Sequence, residues 1–167
     1  MEISANELRI GNIVSHYGFI RKIEAIHPKN KLTDKHRRIE FENGVSSFLM
    51  SLRPIELSEN WLLRFGFEKK EFECPKLGYG LEYYLQAAED VFFCFQEDFS
   101  LQIFNNKVSI DVDSSVMIDY NFTKYVHQFQ NIYFGLVGKE LFIELERNEL
   151  DKTYMDYLKS ILSSNNE

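Results

Sequence analysis

From Ile13 onward the chain sets short apolar runs between turn-forming residues. Ile13-Val14 follows Gly11-Asn12, and Tyr17-Gly18 precedes Phe19-Ile20-Arg21-Lys22-Ile23-Glu24-Ala25-Ile26, where apolar and polar positions partly alternate. That alternation predicts a hairpin, because successive side chains of a strand point to opposite faces. Arg38-Ile39-Glu40-Phe41 and a run through Phe48 to Leu52 flank Asn43-Gly44, a dipeptide that favours a tight hairpin turn because both residues tolerate positive φ. Arg53-Pro54 closes the region. About five short strands in residues 1–57 predict a small SH3-like β-barrel, whose closure removes exposed sheet edges.

The pattern then changes. Ser58 stands as an N-cap before Trp61-Leu62-Leu63-Phe65, the apolar side of a short helix stopped at Gly66. Strand-like stretches follow at Gly80–Leu85, Val91–Phe95, Leu101–Phe104 and Val108–Val112, with Glu97-Asp98 and Asn105-Asn106 at turns, so an antiparallel meander is expected with its third and fourth strands paired. Val126, Phe129, Tyr133, Leu136 and Val137 share a helical face from about Lys124 to Val137, with Gly138 suited to the stop. Leu141–Leu145 reads as a last strand, and Tyr154, Leu158, Ile161 and Leu162 mark a final helix from Glu149 onward. The expected class is α+β: an SH3-like barrel over residues 1–57, then an antiparallel sheet packed with two or three helices over residues 58–167.

Composition refines this picture. With 44% hydrophobic residues and 15 Phe, 9 Tyr and 1 Trp among 167, the chain has enough apolar material for a core and is not of disordered type. The formal charge of -7 argues against general adhesion to nucleic acid or anionic membrane. That sum hides an asymmetry: residues 1–57 carry nine Lys/Arg against seven Asp/Glu, residues 58–167 ten against nineteen. No run approaches the roughly 20 apolar residues of a spanning helix, and the N-terminus has no apolar signal region, so a cytoplasmic protein without membrane contact is expected. Cys74 and Cys94, without a CxxC pair, encode neither a zinc ribbon nor a disulfide framework.

Three segments carry a resemblance: Asn6-Glu7-Leu8-Arg9-Ile10-Gly11-Asn12, Pro54-Ile55-Glu56-Leu57-Ser58-Glu59-Asn60-Trp61-Leu62-Leu63-Arg64-Phe65-Gly66-Phe67, and Tyr125-Val126-His127-Gln128-Phe129-Gln130-Asn131-Ile132-Tyr133-Phe134. In this order they resemble a family of small uncharacterised proteins from phages and mobile elements of Bacteroides-type gut bacteria. The resemblance implies a genetic setting and no chemistry.

Candidate chemistry is sparse. His127, Gln128 and Asn131 form the densest polar cluster on a predicted helix, and an imidazole beside amides could act as a base, alone or with Asp111 or Asp113. A histidine at the core edge, with Gln128 and Asn131 bonding the neighbouring sheet, is the simpler reading. His16, His27, His36 and His127 are scattered without HxH or HExxH, and Asp111, Asp113 and Asp119 fit a solvated acidic face, so no metal site is expected. No GxxxxGK[ST] or GxSxG occurs, and Cys94 within Phe92-Phe93-Cys94-Phe95 sits in a setting that raises a thiol pKa. Neither a cofactor nor an enzyme is predicted.

Two binding readings remain, with an uncharacterised enzyme centred on His127 as a third alternative. The leading expectation is a non-catalytic accessory protein that binds a protein partner or itself, with the surplus aromatics Trp61, Tyr83, Phe93 and Tyr133 as candidate contact residues. The alternative is nucleic-acid binding by the basic loop, where Lys29, Lys31, Lys35, Arg37 and Arg38 face one Asp34 and Tyr17 could stack a base.

Overall fold

The computed structural model describes residues 3–28, 37–74, 78–105, 116–118, 123–141 and 143. These fall into two compact units, one of the described residues up to Pro54 with Ile143, the other of those from Ile55 to Leu141. The class is α+β: two antiparallel five-stranded sheets and two α-helices among the described residues.

The first unit comprises β1 (Ile13–His16), β2 (Phe19–Ile26), β3 (Arg38–Phe41), β4 (Ser46–Phe48) and β5 (Leu52–Arg53), in the order β4-β3-β2-β1-β5 of a curled half-barrel sheet. A 3-10 turn, Leu49–Ser51, separates β4 from β5, dividing the run that the sequence presents as one strand. The β1–β2 hairpin closes at His16 opposite Phe19, leaving Tyr17 (φ 50) and Gly18 (φ 84) as a two-residue turn. Two successive positive φ values define the turn whose twist matches that of the flanking strands. Asn43-Gly44 behaves differently from expectation. The loop is Glu42-Asn43-Gly44, closed by hydrogen bonds from the Phe41 N–H to the Val45 carbonyl and from the Gly44 N–H to the Phe41 carbonyl, and of the three only Gly44 takes a positive φ.

One face of this sheet is dry. Val14, Ile23, Ile39, Phe41 and Leu52 pack there with Ile3, and Leu8, Ile26, Val45 and Leu49 lean against them. Between Ile23 and Ala25 the β2–β3 register slips, so Glu24 is an extra residue that bends β2.

In the second unit α1 (Glu59–Arg64) precedes β6 (Glu68–Cys74), β7 (Gly78–Gln86), β8 (Val91–Gln96), β9 (Leu101–Asn105) and β10 (Val116–Ile118), and α2 (Val126–Val137) follows. The strands run as a meander, β10-β9-β8-β7-β6. Ser58 occupies the N-cap position of α1 without a side-chain cap bond. The helix ends as expected at Gly66 (φ 88), where the Phe67 N–H reaches the Leu62 carbonyl and the Gly66 N–H the Leu63 carbonyl. Gly138 (φ 72) ends α2. Ahead of both helices, the Leu57 N–H bonds the Lys124 carbonyl and the Val126 N–H the Ile55 carbonyl, so the two helix starts are tied together.

Strand β6 carries too many charges, Glu68-Lys69-Lys70-Glu71, to look like a strand in sequence. It pairs with β7 alone among the described strands, and charges on such an edge deter further pairing. The expected strand Val108–Val112 and the helix from Glu149 lie outside the described residues; the described neighbour of β9 is β10. Leu141 and Ile143 of the expected last strand are not in a strand.

Directly paired residues share a sheet face, which sorts the aromatic surplus. Tyr83, Phe93, Phe95 and Leu101 lie on one face, and Tyr84, Phe92 and Cys94 on the other. Phe129 of α2 sits at the centre of the first set, with ring centroids 5.2 Å from Phe95, 5.6 Å from Phe93 and Phe67, and 5.7 Å from Phe65. On the other face Tyr84 stacks on Phe92 at 5.6 Å.

Candidate functional site

The four aromatics expected to meet a partner are core residues. Trp61, Tyr83, Phe93 and Tyr133 are all buried, Phe93 completely: Tyr83 of β7 and Phe93 of β8 lie on the sheet face that meets Phe129, and Trp61 of α1 and Tyr133 of α2 turn inward from the helices. A buried ring offers no area to a partner. Phe93 stacks with Tyr133 at 5.5 Å, and Trp61 faces Phe65 at 5.9 Å under the Arg64 guanidinium at 4.9 Å. Burial pushes the Tyr133 phenol pKa up. Tyr83 is raised first by burial and then by its hydrogen bond to Glu59, whose carboxylate also accepts from Lys69 Nζ at 2.8 Å.

The polar cluster on α2 is likewise structural. His127 is fully buried, its ring nearly parallel to that of Tyr125 at 5.9 Å. Gln128 does not reach for the sheet as expected. Its Oε1 accepts from the Tyr125 backbone N–H at 3.1 Å and caps its own helix, a use open to an amide three residues inside a helix start. Asn131 is half-buried. Asp111, Asp113 and Asp119 lie outside the described residues. Among the described residues no group of three or more His, Cys, Asp or Glu is placed to hold a metal. Cys94 is buried, and desolvation, then the nearby Glu82 carboxylate, pushes its thiol up to about 12. A thiol held there is protonated at neutral pH and a poor nucleophile.

A different arrangement emerges at one end of the first unit. His16 at the end of β1 has Nε2 2.8 Å from Ser47 Oγ of β4, and Ser47 Oγ is 2.8 Å from Ser51 Oγ of the 3-10 turn. Beside these three in the chain stand Tyr17, Phe48 and Met50, each exposed, Tyr17 at 70%. Arg53 fixes the turn by donating from Nη1 to the Met50 and Leu52 carbonyls, both at 2.8 Å. Arg38 lies opposite Phe48 in the β3–β4 ladder, and the Leu49 N–H bonds the Arg37 carbonyl. The His16–Ser47–Ser51 bonds thus join the segments that carry Tyr17, Phe48 and Met50 into one rim, with Arg53 bonded to its turn and Arg38 paired with Phe48.

Of the basic-loop candidates, Lys29, Lys31 and Lys35 lie outside the described residues. Arg37 is half-buried; Arg38 is exposed and engaged, with Nη2 3.1 Å from Ser46 Oγ and 3.2 Å from Glu40 Oε1. Sequence reasoning found Tyr17 and Arg38 but passed over Phe48 and Met50, which read as strand residues. Strand alternation in β4 exposes Phe48 opposite Arg38, and Met50 is exposed in the 3-10 turn that follows.

No helix among the described residues is long and apolar enough to cross a membrane. No known protein family, curated protein or solved structure matches the chain.

Proposed function

We propose that this chain is a non-catalytic binding protein that engages a protein partner through the Tyr17, Phe48 and Met50 rim of its first unit. One observation carries the reading: Tyr17 holds a left-handed backbone position (φ 50) in a two-residue turn and is 70% exposed. That backbone costs an L side chain about 1–2 kcal/mol relative to glycine, and an exposed phenol ring recovers little of it. A residue that stability alone would replace by Asn or Gly at a turn is a candidate for function. Tyr, with Met nearby and Arg at the margin, is the composition of binding surfaces.

The architecture supports an SH3-like barrel for this unit. Strand β2, bent at Glu24, pairs with β1 on one side and β3 on the other, and a 3-10 turn leads into the short β5, which returns to β1. The resemblance of the three sequence segments adds a setting, that of an accessory protein of a phage or mobile element.

Nucleic-acid binding is the second reading, favoured by the exposed Tyr17 ring and by the exposed Arg38 beside Phe48 in the β3–β4 ladder. Against it, Glu40 offsets the Arg38 charge, Met50 is not a stacking platform, and the chain carries -7 overall. Photo-crosslinking from benzoyl-phenylalanine installed at position 17 or 48, in lysate of a Bacteroides-type bacterium, separates the two. The proposal expects a discrete protein adduct that survives nuclease; adducts that nuclease removes support the second reading, and an absence of adducts from both positions contradicts the rim.

A further inference from the structure

The hydrogen-bond chain under the rim runs one way only. The Ser51 hydroxyl donates to the Phe48 carbonyl at 2.7 Å, and a carbonyl can only accept. With its single proton committed there, Ser51 Oγ must accept from Ser47, 2.8 Å away, and Ser47 Oγ must in turn accept from His16 Nε2, also at 2.8 Å. His16 Nε2 therefore carries a proton while this chain stands. The neutral ring is the Nε2–H tautomer, and a second proton can add only at Nδ1. Ser47 is thus no nucleophile awaiting a base, since the imidazole gives a hydrogen bond where a base would take one.

The surroundings of the ring decide what a second proton does. From its own strand end comes the Tyr17 phenol, with ring centroids 4.4 Å apart; from β3 comes Phe41 at 5.1 Å. Phe19 and Leu52 lie opposite His16 in the two ladders and carry no charge, nor do Ser47 and Ser51. Arg21 of β2 is buried on the same face, and its cation bears on the imidazole. An imidazolium here is a buried cation facing a buried cation. Its relief is to swing into water at the rim, and that motion gives up the bond to Ser47.

We propose that His16 is a pH-operated latch: neutral, it holds the Leu49–Ser51 turn to the end of β1, and a proton taken from solvent at Nδ1 releases the turn. Phe48, which precedes the turn, and Met50, within it, are freed with it. The device does not depend on what binds the rim. Burial, and after it Arg21, lowers the proton affinity of the ring, so the latch opens on the acid side of neutrality.

The test is NMR on the full-length protein. Long-range 1H–15N spectra at about pH 7.5 identify the tautomer, and a titration to about pH 5 follows the His16 ring together with exchange of the Leu52 amide, which bonds the Leu49 carbonyl. Expected are the Nε2–H tautomer, a midpoint below roughly 6.5, and about tenfold loss of Leu52 protection through that midpoint after correction for intrinsic exchange, while Phe93 of the second unit keeps its protection. Arg21→Met should move the midpoint up; if that variant does not fold, the parent titration decides. An Nδ1–H tautomer, a midpoint at or above the ordinary imidazole value, unchanged Leu52 exchange, or equal loss at Phe93 would each overturn the latch.

Discussion

Among the described residues each unit holds one large aromatic residue in left-handed backbone, and the two are used differently. Phe99 (φ 61), in the turn between β8 and β9, lays its ring on buried Tyr83 at 6.4 Å, so part of the strain returns as packing. Tyr17 (φ 50) touches the edge of His16 and leaves most of its ring to water. The second unit spends its aromatic residues on a core centred on Phe129. The first has an aliphatic core with Phe41, interrupted by buried Asn12, His16 and Arg21, and holds Tyr17 where stability gains least. Strain that packing offsets is ordinary architecture; strain left exposed is what the proposed binding role of Tyr17 accounts for.

The comparison can be broken most forcefully at Phe129. Phe129→Ala removes the ring on which Phe65, Phe67, Phe93 and Phe95 converge, and should destabilise the second unit by about 3–5 kcal/mol. Denaturant unfolding followed by Trp61, the single tryptophan and part of this core, reads it directly. A loss below about 1 kcal/mol would mean that the core closes over the gap and that the ring cluster does not govern stability.

A smaller effect of opposite sign is expected at the left-handed residue of the first unit. Tyr17→Asn suits the turn and should stabilise the first unit by about 0.5–1 kcal/mol, less whatever the His16 ring contact contributes. A destabilising outcome would show that Tyr17 is a structural residue after all.

The gentlest probe is pH, because the lowered groups of the two units titrate in different windows. His16 has its pKa lowered, by burial first and Arg21 second, so the folded state binds fewer protons than the unfolded chain. Stability of the first unit is full above about pH 6.5 and falls as pH drops through the folded-state value. The lowered carboxyls of the second unit act further down: Glu59, held by Lys69, and Asp98, held by Ser100, contribute above their ordinary values of 4.5 and 3.8 and lose that contribution in stronger acid. Between about pH 7 and 5.5 the protection of first-unit amides, after correction for intrinsic exchange, should therefore fall, and His16→Gln should flatten the response.

Much of the fold was legible because its signals are local. The Tyr17-Gly18 turn, the Gly66 and Gly138 helix stops and the alternating strands β7 to β9 follow from glycine geometry and side-chain period. Where a local signal and a tertiary demand compete, the reading slipped. Asn43-Gly44 suggested a two-residue turn, yet the β3–β4 register requires three residues; β6 was hidden by the charges that protect an edge. The site was less legible, since exposure of an aromatic residue depends on the face to which its strand turns. Phe93 and Phe48 are both strand phenylalanines, and only the sheet shows that one is wholly buried and the other exposed.

The central claim is that binding belongs to the first-unit rim. Both units expose apolar side chains, Leu63, Phe134 and Leu136 in the second against Tyr17, Phe48 and Met50 in the first, so the claim can be tested like against like. Quantitative co-purification of proteins from a Bacteroides-type bacterium should be compared for the parent chain, for Tyr17→Ser with Phe48→Ser and Met50→Ser, and for Leu63→Ser with Phe134→Ser and Leu136→Ser. The account predicts that the first triple variant loses the proteins retained by the parent while the second keeps them; loss by the second and retention by the first would contradict it.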